Sequence, residues 1–361
     1  MAVVDSAVAE VEREGHAVST PASPVRAEAA TPRSRRGIAG RILLDQQSIL
    51  VYVLAALVLV FTVINPVFFS VGVFGNILVD WAPIALIAVG ETFVVITGGI
   101  DLSVGSTITI SGVIAAFAMA GLTGAGWPDP VSLAVGILVS LGVGVLVGLV
   151  NAVLINVAKL VPFIATLATL GAGAGLALVL TKGGPVGGGP SSAIGLSAPS
   201  IGPFSWPIII AIVVIAIAGL FLHFARFGRY TYAIGGNTFS ATAAGISVPR
   251  HLVKVYGLSG LFAGAAGIMT YLTLGSGSPT SGTSDELSAI AAVVIGGASL
   301  TGGVGRMGGT VLGSLILTSV TSGLVISNID PNWNQVVVAI LIAAAVTLQT
   351  VRRGLGRRRH S

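Results

Sequence analysis

Two stretches of this chain hold residues whose types and spacing could do chemistry. The first, Glu91 to Ser106 (ETFVVITGGIDLSVGS), places Glu91 inside an apolar run, interrupts that run at Gly98 and Gly99, and sets Asp101 and Ser103 where the next run begins. An ionisable group at the centre of a bilayer costs about 2.5–3.5 kcal/mol on insertion scales, so it faces a polar path or a partner. Glu91 therefore either lines a path for a polar solute or, as a neutral carboxylic acid, hydrogen-bonds a neighbouring helix. Asp101 either joins that path or caps the following helix by accepting its first N–H groups. Asn76 and Asn151 are further path candidates, Asn151 being equally suited to tying two helices together.

The second stretch, Arg226 to Lys254 (RFGRYTYAIGGNTFSATAAGISVPRHLVK), gathers Arg226, Arg229, Arg250 and Lys254 between two long apolar runs. Basic residues beside membrane spans tend to stay on the cytoplasmic side. Its middle, Thr238 to Ala244, is small, uncharged and able to form a short helix. The loop reads as a cytoplasmic knuckle that a soluble partner grips.

Enzymatic chemistry has little to stand on. No stretch matches GxxxxGK followed by Ser or Thr, the phosphate cradle of P-loop ATPases, and HExxH is absent too. No GxSxG stands in a strand-to-helix setting. The histidines, His16, His223, His251 and His360, are scattered, and there is no cysteine, so neither a metal site nor a disulfide is expected. No catalytic residue and no cofactor of its own is expected.

The elements that must position these residues are membrane helices. The chain is 54% hydrophobic and 9% charged, against roughly 25% charged in a soluble domain. Its apolar blocks suit helical spans of about 20 residues and are too long for barrel strands. The fold class is all-α, a polytopic transmembrane bundle of about ten spans: 48–64, 77–97, 104–121, 131–157, 162–181, 207–225, 251–273, 286–299, 308–327 and 334–351. Residues 1–47 form an expected disordered cytoplasmic tail, 48–351 the transmembrane domain with its loop at 226–254, and 352–361 a basic cytoplasmic tail. With both termini inside, seventeen of the eighteen Lys and Arg fall on the cytoplasmic side, Lys182 being the exception. Trp81, Trp127, Trp206 and Trp333 then fall near the outer interface as anchors. Asp129, Asp285, Glu286 and Asp330 lie on outer connections, where an external carrier protein would dock. GxxxG spacings at Gly144/Gly148, Gly171/Gly175, Gly260/Gly264 and Gly309/Gly313 permit close helix approach.

Four segments carry a resemblance: VVITGGIDLSVGS from Val94, GRYTYAIGGN from Gly228, AAGISVPRHLVKVYGLSGLFAGAAGI from Ala243, and SPTSGTSDELSAIAAVVIGGASLTGGVGRMGGTVLGSLI from Ser278. In order and spacing, from about residue 48 to 351, the chain resembles the inner-membrane permeases of ribose-type ATP-binding-cassette (ABC) sugar importers. The resemblance implies a permease dimer over a pair of cytoplasmic ATP-binding subunits, fed by an extracytoplasmic solute-binding protein in the bacterial inner membrane. ATP would be bound by the partner subunit; membrane lipids surround the bundle, and no nucleic-acid partner is expected. Gly236 to Ile246 would form the coupling helix, with Gly236, Asn237, Thr238, Phe239, Ala243, Gly245, Ile246 and Arg250 at the ATPase. Relatives usually read GGNExAxRxSGI where this chain reads GGNTFSATAAGI, so Thr238 and Thr242 replace a Glu and an Arg. Position 91 is often methionine in the family.

Three other readings stay open on the sequence. An ABC permease of the same kind could carry another small polar solute, such as branched-chain amino acids. An ion-driven secondary transporter would take up solute without ATP, and a membrane anchor subunit would carry none. The GIDLSVGS and GGASLTGG segments favour the sugar branch.

Overall fold

The structure, a computed structural model, describes residues 46–202, 204–330 and 332–358. The expected N-terminal tail lies outside the described residues except for its last two, and 359–361 lie outside them as well. The described chain forms thirteen helices: α1 (Gln46–Ile64), α2 (Val71–Ile96), α3 (Val104–Gly124), α4 (Asp129–Asn156), α5 (Pro162–Thr181), α6 (Ser191–Gly195), α7 (Trp206–Phe224), α8 (Arg226–Gly236), α9 (Thr238–Ala243), α10 (Val248–Leu274), α11 (Asp285–Ile295), α12 (Met307–Ile326) and α13 (Trp333–Arg358). No strand forms among the described residues; only two isolated bridges occur, Val186 with Gly277 and Ile201 with Phe204.

Every expected span has a helix, and eight helices are long and apolar enough to cross a bilayer. α11 and α13 are not among them: the 11 residues of α11 cover only about 16 Å at 1.5 Å per residue, and the apolar part of α13 is Trp333–Ala344. α13 runs on to Arg358, so the expected C-terminal tail begins as helix.

The bundle is layered around α2, α3 and α10, whose side chains are largely buried, while α1, α4, α5 and α7 turn much of their apolar surface outward. Apolar surface facing lipid carries no penalty, so packing comes from close backbone approach instead. The seam between α4 and α10 shows how. A Cβ on Gly144 would collide with Gly260 O, one on Gly148 with Tyr256 O, and one on Gly260 with Gly144 O. Ser140 Oγ donates to Gly264 O at 2.7 Å across the same seam. Gly309 and Gly313 of α12 likewise face the backbone of Gly296 and Ala292. Gly171 and Gly175 on α5 differ, since nothing lies within 4 Å of where their Cβ atoms would sit.

Two irregular segments enter the bundle. α2 ends at Thr97, Gly98 turns with φ +85°, and residues 99–103 pass between helices. Gly99 abuts the Tyr256 hydroxyl, and Asp101 bonds Ser259. These α10 residues lie about 12–16 Å along that helix from Val248. Gly98 is exposed, whereas Gly99 and Asp101 to Ser103 are buried between helices, a setting in which non-helical backbone is tolerated within a membrane protein. The second segment, 275–284, follows α10. Gly277 sits on Val113 and Ala116, and Gly282 on Gly105, with Gly282 N–H donating to Thr109 Oγ1 at 3.0 Å. It descends along α3, so α11 starts within the bundle.

Trp81 departs from its expected place at the interface. It is 4% exposed, and its indole N–H donates to Ser314 Oγ at 2.8 Å. Trp127, Trp206 and Trp333 are exposed, as anchors require.

Candidate functional site

Asp101 organises a buried polar cluster within the bundle. Its Oδ1 accepts from Ser103 N–H at 3.0 Å, Ser103 Oγ at 2.6 Å and Asn151 Nδ2 at 3.5 Å; its Oδ2 accepts from Ser259 Oγ at 2.9 Å. Asn151 also donates to Ser103 Oγ at 2.7 Å and accepts from Thr169 Oγ1 at 2.6 Å. Asp101 thus closes the turn that starts α3 and ties it to α4 and α10, while Asn151 adds α5. Glu91 Oε1 accepts the Asp101 N–H at 3.1 Å, and Oε2 has no protein partner. The Tyr256 hydroxyl, against Gly99, is also unpartnered. Glu91 is 0% exposed, Asp101 1% and Asn151 0%. The three therefore meet one another and the helices around them, and they line no cavity described below. Asn76, the fourth path candidate, is exposed on α2. Ser103 was noted beside Asp101 at the start of the next run; Thr169, Tyr256 and Ser259 were not singled out in the sequence, where a lone hydroxyl on a membrane helix carries no distinguishing pattern.

The basic loop folds into α8, α9 and the start of α10. Asn237 caps α9, its Oδ1 accepting Ser240 N–H at 2.9 Å. Gly245, at φ +84°, ends it, and Ile246 N–H returns to Ala241 O at 3.1 Å. Apart from Ala241, α9 is exposed, and Phe239 stands 85% exposed at its centre. Arg226, Arg229, Arg250 and Lys254 are exposed around it.

α8 connects this knob to the interior. The Phe227 ring stacks on Phe221 of α7 at 5.0 Å and meets Phe93 of α2 at 5.8 Å and His251 of α10 at 4.6 Å. Gly235 lies so close to the end of α2 that a Cβ there would collide with Ile96 O and come within 2.6 Å of Gly303 N. Gly303 N–H in turn donates to Ile96 O at 2.9 Å. Tyr232 Oη donates to Gly305 O at 2.7 Å; burial raises this hydroxyl above the ordinary tyrosine range against the opposing Arg306 charge, so it stays a donor at neutral pH. One junction thus joins the base of α9, the last turn of α2 and the GGASLTGG loop. Five residues up α2 from Ile96 sits Glu91, holding Asp101.

On the opposite connections the acidic residues are less available than the sequence implied. Asp129 Oδ2 accepts from Ser191 Oγ and Ser192 N–H, both at 3.0 Å, which fixes α6. Glu286 is only 9% exposed, and its carboxylate lies against Gly105. Asp285 instead borders a cavity of about 510 Å³ between α11 and α13. A second cavity, of about 720 Å³, lies between the end of α7 and the start of α12, and a third, of about 620 Å³, is apolar and bordered by α1, α2 and α12. Among the described residues no group of three or more His, Cys, Asp or Glu could hold a metal ion.

The described residues thus form a bundle with eight helices apolar and long enough to cross a membrane, two partly buried irregular segments and a protruding basic-flanked helix. A family model described as "Branched-chain amino acid transport system / permease component" matches residues 73–346, and the chain belongs to that permease family. It is 41% identical over 302 residues to the ribose import permease protein of Bacillus subtilis (strain 168), covering 81% of this chain and 89% of that one. It is 36% identical over 329 residues to the ribose import permease protein of Escherichia coli (strain K12), covering 90% and 99% respectively. The D-allose transport system permease protein of Escherichia coli (strain K12) is 36% identical over 300 residues, covering 82% and 89%. No solved structure matches the chain.

Proposed function

We propose that this chain is the membrane permease of an ABC importer for a monosaccharide or sugar-like solute. It works as a homodimer or paired permease, receives solute from an extracytoplasmic binding protein, and is driven by a cytoplasmic pair of ATP-binding subunits. It carries no ATP site of its own. It resides in the bacterial inner membrane with both termini in the cytoplasm, an orientation supported by the distribution of Lys and Arg. The full-length similarity to ribose and allose permeases favours sugar over branched-chain amino acids as cargo.

The observation that carries the mechanism is the exposed α9 backed by the Gly235 junction. Gly236, Asn237, Thr238, Phe239, Ala243, Gly245, Ile246 and Arg250 dock on the ATPase, with Phe239 as the apolar anchor in place of the missing ion pairs. ATP-driven closure of the partners pushes α9. Gly235 passes that displacement to Ile96 and the 302–303 loop, and α2 moves the Glu91–Asp101 cluster that braces the irregular segment at 97–103. Asn76 remains a polar group of the path itself. Glu91, Asp101 and Asn151 act on the path by holding its walls.

The test uses the complete importer in vesicles. Replacing Thr238–Ala243 by a flexible Gly/Ser stretch is expected to abolish ATP-dependent uptake, and retained transport would remove the coupling role. Uptake that is indifferent to ATP and abolished by an uncoupler would instead mark an ion-driven transporter.

A further inference from the structure

The cavity between α11 and α13 differs in kind from the other two. α11 presents Ser284, Asp285 and Ser288 to it, and α13 presents Asn334 and Gln335. Leu287, Val338 and Ile342 form its apolar wall. Its 510 Å³ falls within the roughly 300–1,000 Å³ of small-molecule sites. No hydrogen bond engages the side chains of Ser284, Asp285, Ser288 or Gln335 among the described residues. Asn334 Oδ1 accepts from Thr321 Oγ1 at 2.8 Å, which orients the carboxamide and leaves its NH₂ to donate. Ser284 has φ +69°, a left-handed conformation that costs a serine energy and that fixes where Asp285 begins α11. The cavity runs from the connection at 332–335 to the start of α11, beside the place where Gly282 and Glu286 pack on Gly105.

We infer that this cavity is the permease's own solute subsite, and that it selects an uncharged polyhydroxyl compound. This deepens the proposed function and rests on it. Neutral solutes need donors and acceptors on one side and an apolar surface for C–H groups on the other. A carboxylate accepts from two adjacent hydroxyls, the amide NH₂ groups donate, the serines do either, and the apolar wall takes the ring face. Among the described residues, no Lys, Arg or His borders the cavity. An amino acid would set its ammonium against Asp285 but leave its carboxylate without a cation, and a sugar phosphate would bring only unmatched negative charge. The site is open and only partly lined by polar groups, as a carrier that must release its solute requires.

The experiment uses the complete importer in proteoliposomes, with ribose and D-allose as sugar probes and L-leucine as the comparator. Asp285→Asn and Gln335→Leu are each expected to lower sugar uptake about tenfold, the scale of one lost hydrogen bond. ATP hydrolysis stimulated by the loaded binding protein is expected to persist, so ATP consumed per sugar rises. Wild-type uptake in both variants overturns the inference. Because the chain lacks cysteine, Ser288→Cys supplies a second readout that needs neither ATP nor coupling. Its modification by a membrane-impermeant thiol reagent is expected to slow with either sugar and not with leucine. Protection by leucine alone, or by none of the three, overturns the inference even if the two variants fail to assemble. Sugar protection with ATP-independent uptake would leave the subsite standing and remove the ABC reading.

Discussion

Gly235→Ala is the smallest change that tests the mechanical link between α9 and α2. Its added methyl would run into Ile96 O and come within 2.6 Å of Gly303 N and 2.9 Å of Ile96 C. All three are backbone atoms, so no rotamer change relieves the collision, and either α8 or the end of α2 must shift. Overpacking of this kind costs about 1–3 kcal/mol, equivalent to about 5- to 150-fold in any equilibrium the junction controls. Gly236→Ala is the matched control, because nothing lies within 4 Å of its Cβ. For Gly235→Ala we expect a thermal midpoint several degrees lower in detergent, and an ATP-to-solute ratio in vesicles that rises several-fold while the ATPase stays bound. For Gly236→Ala we expect the midpoint of the original chain. Equal midpoints for the two variants, with Gly235→Ala transport as tightly coupled as in the original chain, would refute the junction as the link.

Five further outcomes follow from the same geometry. Phe239→Ala is expected to weaken ATPase binding about ten- to hundredfold, the loss of one aromatic anchor. Because Thr238–Ala243 carries no charge, binding through α9 itself should change little between low and high salt, which titration of the detergent-solubilised complex would measure. Gly144→Val should prevent stable packing of α4 on α10, whereas Gly171→Val should leave the protomer folded, as thermal unfolding would report. Asp101→Ala, which strands Ser103, Asn151 and Ser259, should destabilise the chain by about 2–5 kcal/mol by the same assay. Glu91→Met should cost about 1 kcal/mol or less, because one lost hydrogen bond is offset by removal of an unpartnered buried oxygen.

Much of the fold was legible because lipid imposes simple rules on a chain. A span must be apolar for its whole length, so all ten expected spans coincide with helices to within a few residues apart from the lengthened ends of α2 and α13. The short helix at Thr238–Ala243 was legible from its small, uncharged residues, whereas the capping role of Asn237 and the left-handed turn at Gly245 came from the structure. The interior was harder to read. Trp81 has the composition of an interface anchor and became a core residue because Ser314, more than two hundred residues away, offers its indole an acceptor. Asp285 and Glu286 are neighbours in an outer connection by sequence. Successive residues on α11 point in different directions, so one borders a cavity and the other meets Gly105.

By itself, the sequence determined that the chain is a helical membrane protein with a basic-flanked helix between its spans, because composition and charge act locally and need no partners. Only the tertiary structure decided that Gly99, Asp101, Gly277 and Gly282 are buried between helices, that Glu91, Asp101 and Asn151 brace one another, and that Gly235 touches the end of α2. These are contacts between segments far apart in the chain, chosen by which backbones come close enough to satisfy one another's polar groups where water cannot.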